Sequence, residues 1–394
     1  MRGKPLKNLN ILDLSRVLAG PFATMYLSEF GANIIKVEPP EGDETRLYTP
    51  IIKGVSTYFY SVNRGKKSIS IDLKRVEGRD IIYRLIKRCN VLIHNYRDET
   101  AAKLGIDYET IVKLNPEIIY TVIRGYDDKS GFRDYPAYDI VIQGLSGLMM
   151  AMGREGDEPI RVGFALADIL AGLYTASSIL AVLYGELKRP VKLDINLLDS
   201  LVYSMSYLIY SVLIAGIEPG RHGSAHPSIV PYQAFKCRDG KWIIVAAANN
   251  RQFRRLCKAL NLNDLHSDAR FSSNDKRVEN RKILIKILEE KFIERDSEYW
   301  LKILKEYNVP SAPVNRISEF LESIYTVETD LIGKLYDPIL GETLYIRPPI
   351  KIEGSRPYTE KYPPSLSEDA REILTDLGYG EEDIKKFYMY GIVK

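Results

Sequence analysis

The chain reads LNILDLSRVLAGPFATMYLSEFGANIIKV from Leu9 to Val37, and three patterns follow one another in it. Leu9–Leu14 is a short apolar run typical of a β-strand. Phe22–Phe30 has helical periodicity and is closed by Gly31, and Asn33–Val37 predicts a second strand. A strand, a helix and a strand in this order form a βαβ unit, which indicates a parallel sheet.

The same alternation continues through the first 125 residues. No GxGxxG and no GxxxxGK[ST] follows any predicted strand, so the sequence gives no support to a dinucleotide site or a P-loop. We therefore predict an α/β fold without a bound nucleotide cofactor. The further strands and helices are predicted at Ser68–Asp72, Gly78–Cys89, Val91–His94, Tyr108–Leu114 and Ile118–Ile123.

The middle of the chain is more apolar. Helical patterns cover Asp139–Met152 and Ile169–Gly185, and a long helix is expected to start near Leu197. The apolar stretch Leu197–Ile217 contains a charged Asp and several Ser and Tyr, which favours a core helix over a membrane span. Gly216–Pro227 has three glycines and two prolines, and it predicts a linker or mobile loop before a second unit.

Composition is that of an ordinary soluble globular protein. The 394 residues suffice for two domains, the formal net charge is +3, and 27% of residues are charged and 45% hydrophobic. Basic residues are interspersed with acidic ones, so we expect no nucleic-acid partner. The N-terminus lacks an apolar signal core, so we expect a cytoplasmic protein with no membrane partner. Abundant Ile, Lys, Glu and Tyr beside scarce Gln hint at a thermophilic source.

Cysteine and histidine usage gives no metal site. The three cysteines are isolated, which favours a reducing compartment and argues against a disulfide framework. Of the four histidines only His222 and His226 are close in sequence, and too few further ligands surround them. We predict no metal.

Asp168 is the most informative acidic residue. It is the only one between Glu158 and Glu186, and its neighbours in Gly163–Gly172 are small and apolar. A carboxylate in such surroundings is partly desolvated, which is how a reactive acid is placed. The alternative is a helix cap, because Asp is a favoured N-cap and a helix is predicted from Ile169 to Tyr184.

A second candidate is the turn that joins the first strand to the first helix, Leu12–Pro21. Ligands of open α/β sheets bind at the carboxyl ends of strands, where helix N-termini offer free N–H groups to anions. Gly20 would allow close backbone approach and Arg16 supplies charge. The alternative is an ordinary βα turn.

Taken in order, several motifs resemble those of the family III CoA-transferases, a family that includes formyl-CoA transferase, carnitine CoA-transferase and α-methylacyl-CoA racemase. The resemblance covers nearly the whole chain. Its motifs are DLSRVLAGP (13–21), GANIIKVE (31–38), Gly42-Asp43, NRGKKS (63–68), Asn95-Tyr96, Leu104-Gly105, Tyr138-Asp139, QGLSG (143–147), Asp168 in its glycine-bounded setting, Pro231-Tyr-Gln233, Asp239-Gly240 and the sequence from Gly333 onward.

The resemblance implies an architecture. It comprises a large Rossmann-like domain and a smaller α+β domain, with two chains threaded through each other as an interlocked homodimer. On this basis residues 1–215 form the N-terminal part of the large domain, 216–228 a linker, 229–325 the small domain, and 326–394 a segment that returns to the large domain.

The resemblance also implies a reaction. Asp168 matches the nucleophile that carries CoA between an acyl-CoA and a free carboxylic acid through aspartyl anhydride and thioester intermediates. Coenzyme A is then substrate and product, and no metal is required. Pro39-Pro40 replace a common arginine contact, for which Arg46 is an alternative anchor, and the loop at 220–227 lacks the glycine-rich lid of the formyl-CoA enzyme. The residues that match CoA-contacting positions are Arg16, Ala19, Asn95 and Lys103, and Tyr138 could line the CoA arm or the acyl pocket.

Two alternatives remain. Racemases of this family have His-Asp where this chain has Tyr138-Asp139, and a tyrosine with an ordinary pKa of about 10 is a poor proton acceptor near neutrality. His94, His222 and His226 do not occupy that motif, so the sequence favours a transferase over a 2-methylacyl-CoA racemase. A non-catalytic CoA-binding scaffold is disfavoured because it has no need of a desolvated carboxylate.

Overall fold

The computed structural model describes residues 4–394, and its first unit is built on a parallel sheet of six strands. Its strands are β1 (Asn10–Asp13), β2 (Asn33–Glu38), β3 (Lys66–Ser70), β4 (Val91–His94), β5 (Ile119–Arg124) and β6 (Val191–Asn196). Neighbouring strands lie in the order β3-β2-β1-β4-β5-β6, and every pairing is parallel. This is the order of doubly wound sheets, which bind ligands where the strand order reverses, here between β1 and β4. The predicted α/β class is confirmed.

The helices follow the predicted alternation, although the bounds of several differ from the prediction. In chain order they are α1 (Ala19–Glu29), α2 (Thr57–Val62), α3 (Val76–Ile86), α4 (Asp98–Leu104), α5 (Tyr108–Leu114), α6 (Asp139–Leu145), α7 (Leu148–Ala151), α8 (Leu166–Tyr184), α9 (Leu197–Ser204), α10 (Tyr207–Ala215), α11 (Asn250–Ala259), α12 (Asn274–Glu279), α13 (Arg281–Phe292), α14 (Ser297–Glu306), α15 (Ile317–Leu321), α16 (Ile324–Glu328), α17 (Ala370–Asp376) and α18 (Glu381–Met389).

Two long predicted helices are broken. The pattern at 139–152 is divided into α6 and α7 because Gly147 adopts a left-handed conformation, with φ of +83°. The helix expected from Leu197 ends at Ser204, since Ser206 has φ of +47°, which a helix cannot contain.

The first unit contains residues up to Ser146, Val162–Ser206 and Glu328–Lys394. Its C-terminal segment packs on the N-terminal part: α17 and α18 contribute Ile373 and Ile384 to the core that also holds Leu12 and Leu92. The central strands β1, β4 and β5 are largely buried and rich in Ile, Val and Leu, as in sheets covered on both faces. An antiparallel hairpin, β10 (Ile332–Asp337) with β11 (Gly341–Ile346), also belongs to this unit.

The second unit contains Gly147–Arg161 and Tyr207–Val327. Its antiparallel sheet has β7 (Tyr232–Lys236), β8 (Trp242–Ala246) and β9 (Ser311–Pro313), and the predicted hairpin around Asp239-Gly240 is present. The sequence did not indicate that residues 147–161 accompany this unit. The proposed domain division at 215, 228 and 325 stays a prediction.

Helix α8 is long and apolar enough to cross a membrane by length and composition, with mean hydropathy 1.8. Core helices of soluble proteins pass the same test. Here α8 packs lengthwise on α1: a Cβ on Gly172 would lie 2.7 Å from the carbonyl oxygen of Ala19.

Candidate active site

Asp168 lies in the first turn of α8, which begins at Leu166, three residues before the predicted start. The interpretation of Asp168 as the N-cap is therefore wrong. The capping oxygen comes from Asp139, whose Oδ1 accepts a hydrogen bond of 2.8 Å from the N–H of Ala167. Because another carboxylate caps the helix, Asp168 is left free for other work.

The N–H of Ala19 faces Asp168 and favours its ionised form, which lowers its pKa. Ala19 is the first residue of α1, so its N–H has no acceptor within the helix. Gly172 makes the contact possible, because any larger side chain there would push α8 away from Ala19. The two helix N-termini thus bring one carboxylate and one free N–H together.

The pKa of Asp168 is raised to about 7, first by burial and then by the negative charge of Asp139, while the Ala19 N–H opposes the rise. A carboxylate of this basicity is a better nucleophile than an exposed one and is still substantially ionised at neutral pH. Asp139 is itself buried, and its Oδ2 accepts a hydrogen bond of 2.6 Å from Gln143 Nε2.

Tyr58, on α2, is a site residue that sequence analysis missed. Burial and the charge of Asp168 raise its pKa to about 12, so its hydroxyl stays protonated and can act as a donor. No motif marks it, because it approaches Asp168 only through the tertiary fold.

The turn between β1 and α1 brings two predicted CoA-binding residues together. The side-chain amide of Asn95 accepts from the N–H of Arg16 at 3.0 Å and donates to its carbonyl at 2.9 Å. The Arg16 guanidinium lies 5.2 Å from the ring centroid of Tyr96, and its Nε is buried without a partner. Asn95 therefore holds the turn, while Arg16 is available to a ligand.

Beside this turn, a cleft of about 100 Å³ opens at the carboxyl ends of β1 to β4. Such an edge is where open α/β sheets bind ligands. Lys74, which sequence analysis did not select, supplies a cation; its place four residues after β3 was the available signal. The cleft is lined by Leu14, Val37, Glu38, Pro39, Pro40, Glu41, Ile71, Asp72, Leu73, Lys74, Tyr96 and Leu104.

The other residues predicted to bind CoA lie outside this cleft. Lys103 is exposed on α4, next to Leu104 of the cleft. Tyr138 precedes α6 and is 59% exposed. Arg46 is not a free anchor: its guanidinium pairs with both oxygens of Glu38 at 2.8 Å and lies 3.7 Å from the ring centroid of Phe59.

His94 is unsuited to act as a base. It is fully buried, burial lowers its pKa to about 3, and its Nε2 lies 2.6 Å from the Tyr120 hydroxyl. His222 and His226 belong to the second unit. Within residues 4–394, no cluster of three or more His, Cys, Asp or Glu has the arrangement of a metal site.

Comparisons with known proteins identify the family of the chain. The family model for CoA-transferase family III matches residues 6–370. The chain is 39% identical over 395 residues to human succinyl-CoA:glutarate CoA-transferase, covering 99% of this chain and 90% of that protein. It is 33% identical over 390 residues to the succinate–glutarate CoA-transferase of Agrobacterium fabrum, covering 95% of this chain and 96% of the relative.

A solved structure shows the same fold. A CAIB/BAIF family protein from Brucella suis superposes with a TM-score of 0.85 at 32% identity, covering 95% of this chain and 100% of the other. A match along this much of the chain, together with relatives above 30% identity over nearly their whole length, places the protein in CoA-transferase family III.

Proposed function

We propose that this enzyme moves CoA between a dicarboxylic acyl-CoA and a free dicarboxylate through covalent intermediates on Asp168. The observation that carries the mechanism is the half-buried Asp168 carboxylate in the first turn of α8, beside the free N–H of Ala19 at the start of α1. Burial raises the pKa of this carboxyl to about 7. The dicarboxylate class is inferred from relatives named as succinyl-CoA and glutarate transferases.

The first half of the reaction moves CoA onto the enzyme. A carboxylate oxygen of Asp168 attacks the thioester carbonyl, and the C–S bond breaks to give a mixed anhydride and the CoA thiolate. The thiolate then attacks the aspartyl carbonyl carbon. The anhydride C–O bond breaks, which releases the donor acid and leaves an aspartyl-CoA thioester.

The second half runs the same steps in reverse with the acceptor acid. Its carboxylate displaces the thiolate from the aspartyl thioester, and the thiolate then attacks the acceptor carbonyl of the new anhydride. The products are the new acyl-CoA and free Asp168. Each intermediate remains activated, so no net proton transfer and no ATP are required.

The residues around Asp168 fit these steps. When the aspartyl carbonyl is attacked, negative charge develops on its oxygen, and the Ala19 N–H is placed to stabilise it. For binding CoA, the side chains of Arg16, Lys74 and Lys103 offer cations to its phosphates at one edge of the sheet. Tyr96 offers an aromatic ring to its adenine base. As a point charge, Lys103 can hold a phosphate without bidentate geometry.

Racemisation is not favoured. It needs two bases near the α-carbon, and the only matched candidate besides Asp168 is Tyr138, an exposed tyrosine. The non-catalytic scaffold is not favoured either, because a raised carboxylate pKa contributes nothing to CoA binding.

The test combines trapping with acyl exchange. The enzyme is incubated with succinyl-CoA, treated with hydroxylamine and digested for peptide mass spectrometry, and transfer to glutarate is measured in parallel. In the wild-type enzyme we expect a hydroxamate on Asp168 and transfer of CoA to glutarate. Transfer should be absent in Asp168→Asn. Deuterium uptake at the α-carbon without acyl exchange would instead support a racemase.

We also propose that a second copy of the chain covers the apolar surface of α10. None of the nine residues of this helix is buried, and Leu213 and Ile214 are 72% and 79% exposed. Surfaces of this kind mark protein interfaces. Light scattering should give about twice the 44.9 kDa of one chain, and Leu213→Lys with Ile214→Lys should lower that mass. A monomeric wild-type protein would contradict the proposal.

A further inference from the structure

The turn from Ser15 to Ala19 presents the N–H of Ala19 to Asp168, and charged side chains buried beneath it hold its backbone. We propose that the buried ion pair of Asp43 and Lys36 is a positioning device that fixes this turn, and with it the alignment of the Ala19 N–H on Asp168. The inference rests on the proposed role of Asp168 as nucleophile.

The ion pair contacts both sides of the turn. Lys36 Nζ lies 3.0 Å from Asp43 Oδ2, and both side chains are completely buried. The same Nζ donates to the carbonyl oxygen of Ser15 at 2.9 Å. The carboxylate of Asp43 accepts from the N–H of Val17 at 3.3 and 3.4 Å. One cation and one anion thus hold the peptide groups that flank Arg16.

A second buried pair anchors the ends of the turn. Asp13 Oδ1 accepts from the N–H of Ser15 at 3.0 Å, and Asp13 Oδ2 lies 3.0 Å from Lys66 Nζ. Lys66 also donates to the carbonyl oxygen of Pro21 at 3.0 Å. With Asn95 on the peptide groups of Arg16, side chains satisfy the backbone polar groups from the N–H of Ser15 to the N–H of Val17.

The backbone shows why such holding is needed. Val17 has φ of +69°, a left-handed conformation that a β-branched residue adopts only under constraint. Strained conformations persist where the surroundings over-determine them, and they concentrate at functional sites. Burying four charges is also costly compared with apolar packing, so stability alone does not account for them. Alignment of the Ala19 N–H explains both features.

Loosening the turn has two measurable consequences. Misplacing a catalytic group by about 1 Å costs on the order of 100-fold in rate, so kcat should fall while the KM for acyl-CoA changes little. A weaker hydrogen bond from Ala19 also leaves the Asp168 carboxylate less stabilised, so the acidic limb of the pH–rate profile should move to higher pH. Asp139 and Tyr58, the other groups near Asp168, keep their side chains in these variants, although the charge of Asp43 also contributes to the raised pKa of Tyr58.

The experiment measures kcat, KM and the pH profile of CoA transfer in two turn variants, Asp43→Asn and Lys36→Met. Asp43→Asn keeps the shape of the side chain and removes its charge. Lys36→Met removes the cation and its hydrogen bond to the Ser15 carbonyl, so it carries the test if Asp43→Asn does not fold. Glu29→Gln is the matched control, because Glu29 is a buried carboxylate paired with Arg64 at 2.9 Å, at the far end of α1.

We expect a loss in kcat of about 10- to 100-fold and an acidic limb raised by roughly half a pH unit or more in a folded turn variant. Glu29→Gln should keep the wild-type acidic limb of the pH–rate profile. If the folded turn variants keep the acidic limb of the pH–rate profile at its wild-type pH, the proposal is overturned, whatever happens to stability. Failure of the proposed function is distinguishable, since it would appear as transfer by Asp168→Asn.

Discussion

Replacing Asp168 by Asn should stabilise the folded protein at alkaline pH, because the folded state disfavours the ionised form of this carboxyl. The pKa rises from an ordinary 3.8 to about 7. The shift is roughly 3 pKa units, and each unit corresponds to about 1.36 kcal/mol. The unfolding free energy gained by Asp168→Asn at alkaline pH is therefore at most about 4 kcal/mol, and solvent contact of the half-buried group reduces it. Asn removes the charge and keeps the shape.

The pH window follows from the direction of the shift. A carboxyl whose pKa is raised in the folded state favours folding below the unfolded pKa, and this contribution is lost as pH rises through the folded pKa. The wild-type protein should therefore lose stability between about pH 4 and pH 7 relative to the variant. Above that window the advantage of Asn is complete.

Urea unfolding followed by circular dichroism at pH 4.5 and pH 8 measures this. The gain in unfolding free energy for Asp168→Asn over wild type should be larger at pH 8 by up to about 3 kcal/mol. Asp376→Asn, an exposed change at the end of α17, should show no such difference. Equal effects of Asp168→Asn at the two pH values would refute the claim that the site holds a strained carboxylate.

Further predictions concern the neighbours of Asp168. The kcat/KM for transfer should fall about tenfold per pH unit below pH 7, because only the ionised carboxylate attacks. In stopped assays, Asp139→Asn should move this acidic limb of the pH–rate profile to lower pH, because the variant lacks the negative charge that raises the pKa of Asp168. A limb unmoved in that variant would contradict the electrostatic assignment. Gly172→Ala should cost about 1–3 kcal/mol by thermal unfolding, since its Cβ would meet the Ala19 carbonyl at 2.7 Å. Tyr138→Phe should retain most transfer activity in the acyl-exchange assay, and a complete loss would restore a proton-transfer role for this residue.

The frame of the first unit was predictable because its strands and helices carry strong local patterns. Leu9–Leu14 and Asn33–Val37 are apolar runs whose pairing follows from βαβ geometry. The helix boundary at Leu166 was not predictable, because the cap comes from Asp139, which lies 28 residues before Ala167, whose N–H donates to it. Local cap signals could not reveal a cap supplied by the tertiary fold.

Buried charges were beyond local analysis for the same reason. Lys36 lies in an apolar strand, where a lysine is normally expected to reach solvent, yet it is completely buried because Asp43 and the Ser15 carbonyl meet its ammonium group. Asp168 was found from its apolar neighbours, but its partner N–H on Ala19 required the approach of α1 and α8. Asn95 was predicted as a CoA contact, and the structure pairs its amide with the backbone of Arg16.

The central claim is that Asp168 carries the covalent intermediates, and mass spectrometry of the trapped enzyme tests it most directly. Wild-type enzyme incubated with succinyl-CoA and then hydroxylamine should yield the peptide that contains Asp168 with a hydroxamate on that residue. The adduct should be absent without succinyl-CoA. An enzyme that transfers CoA while Asp168 remains unmodified, or that carries the adduct on another carboxylate, would contradict the account.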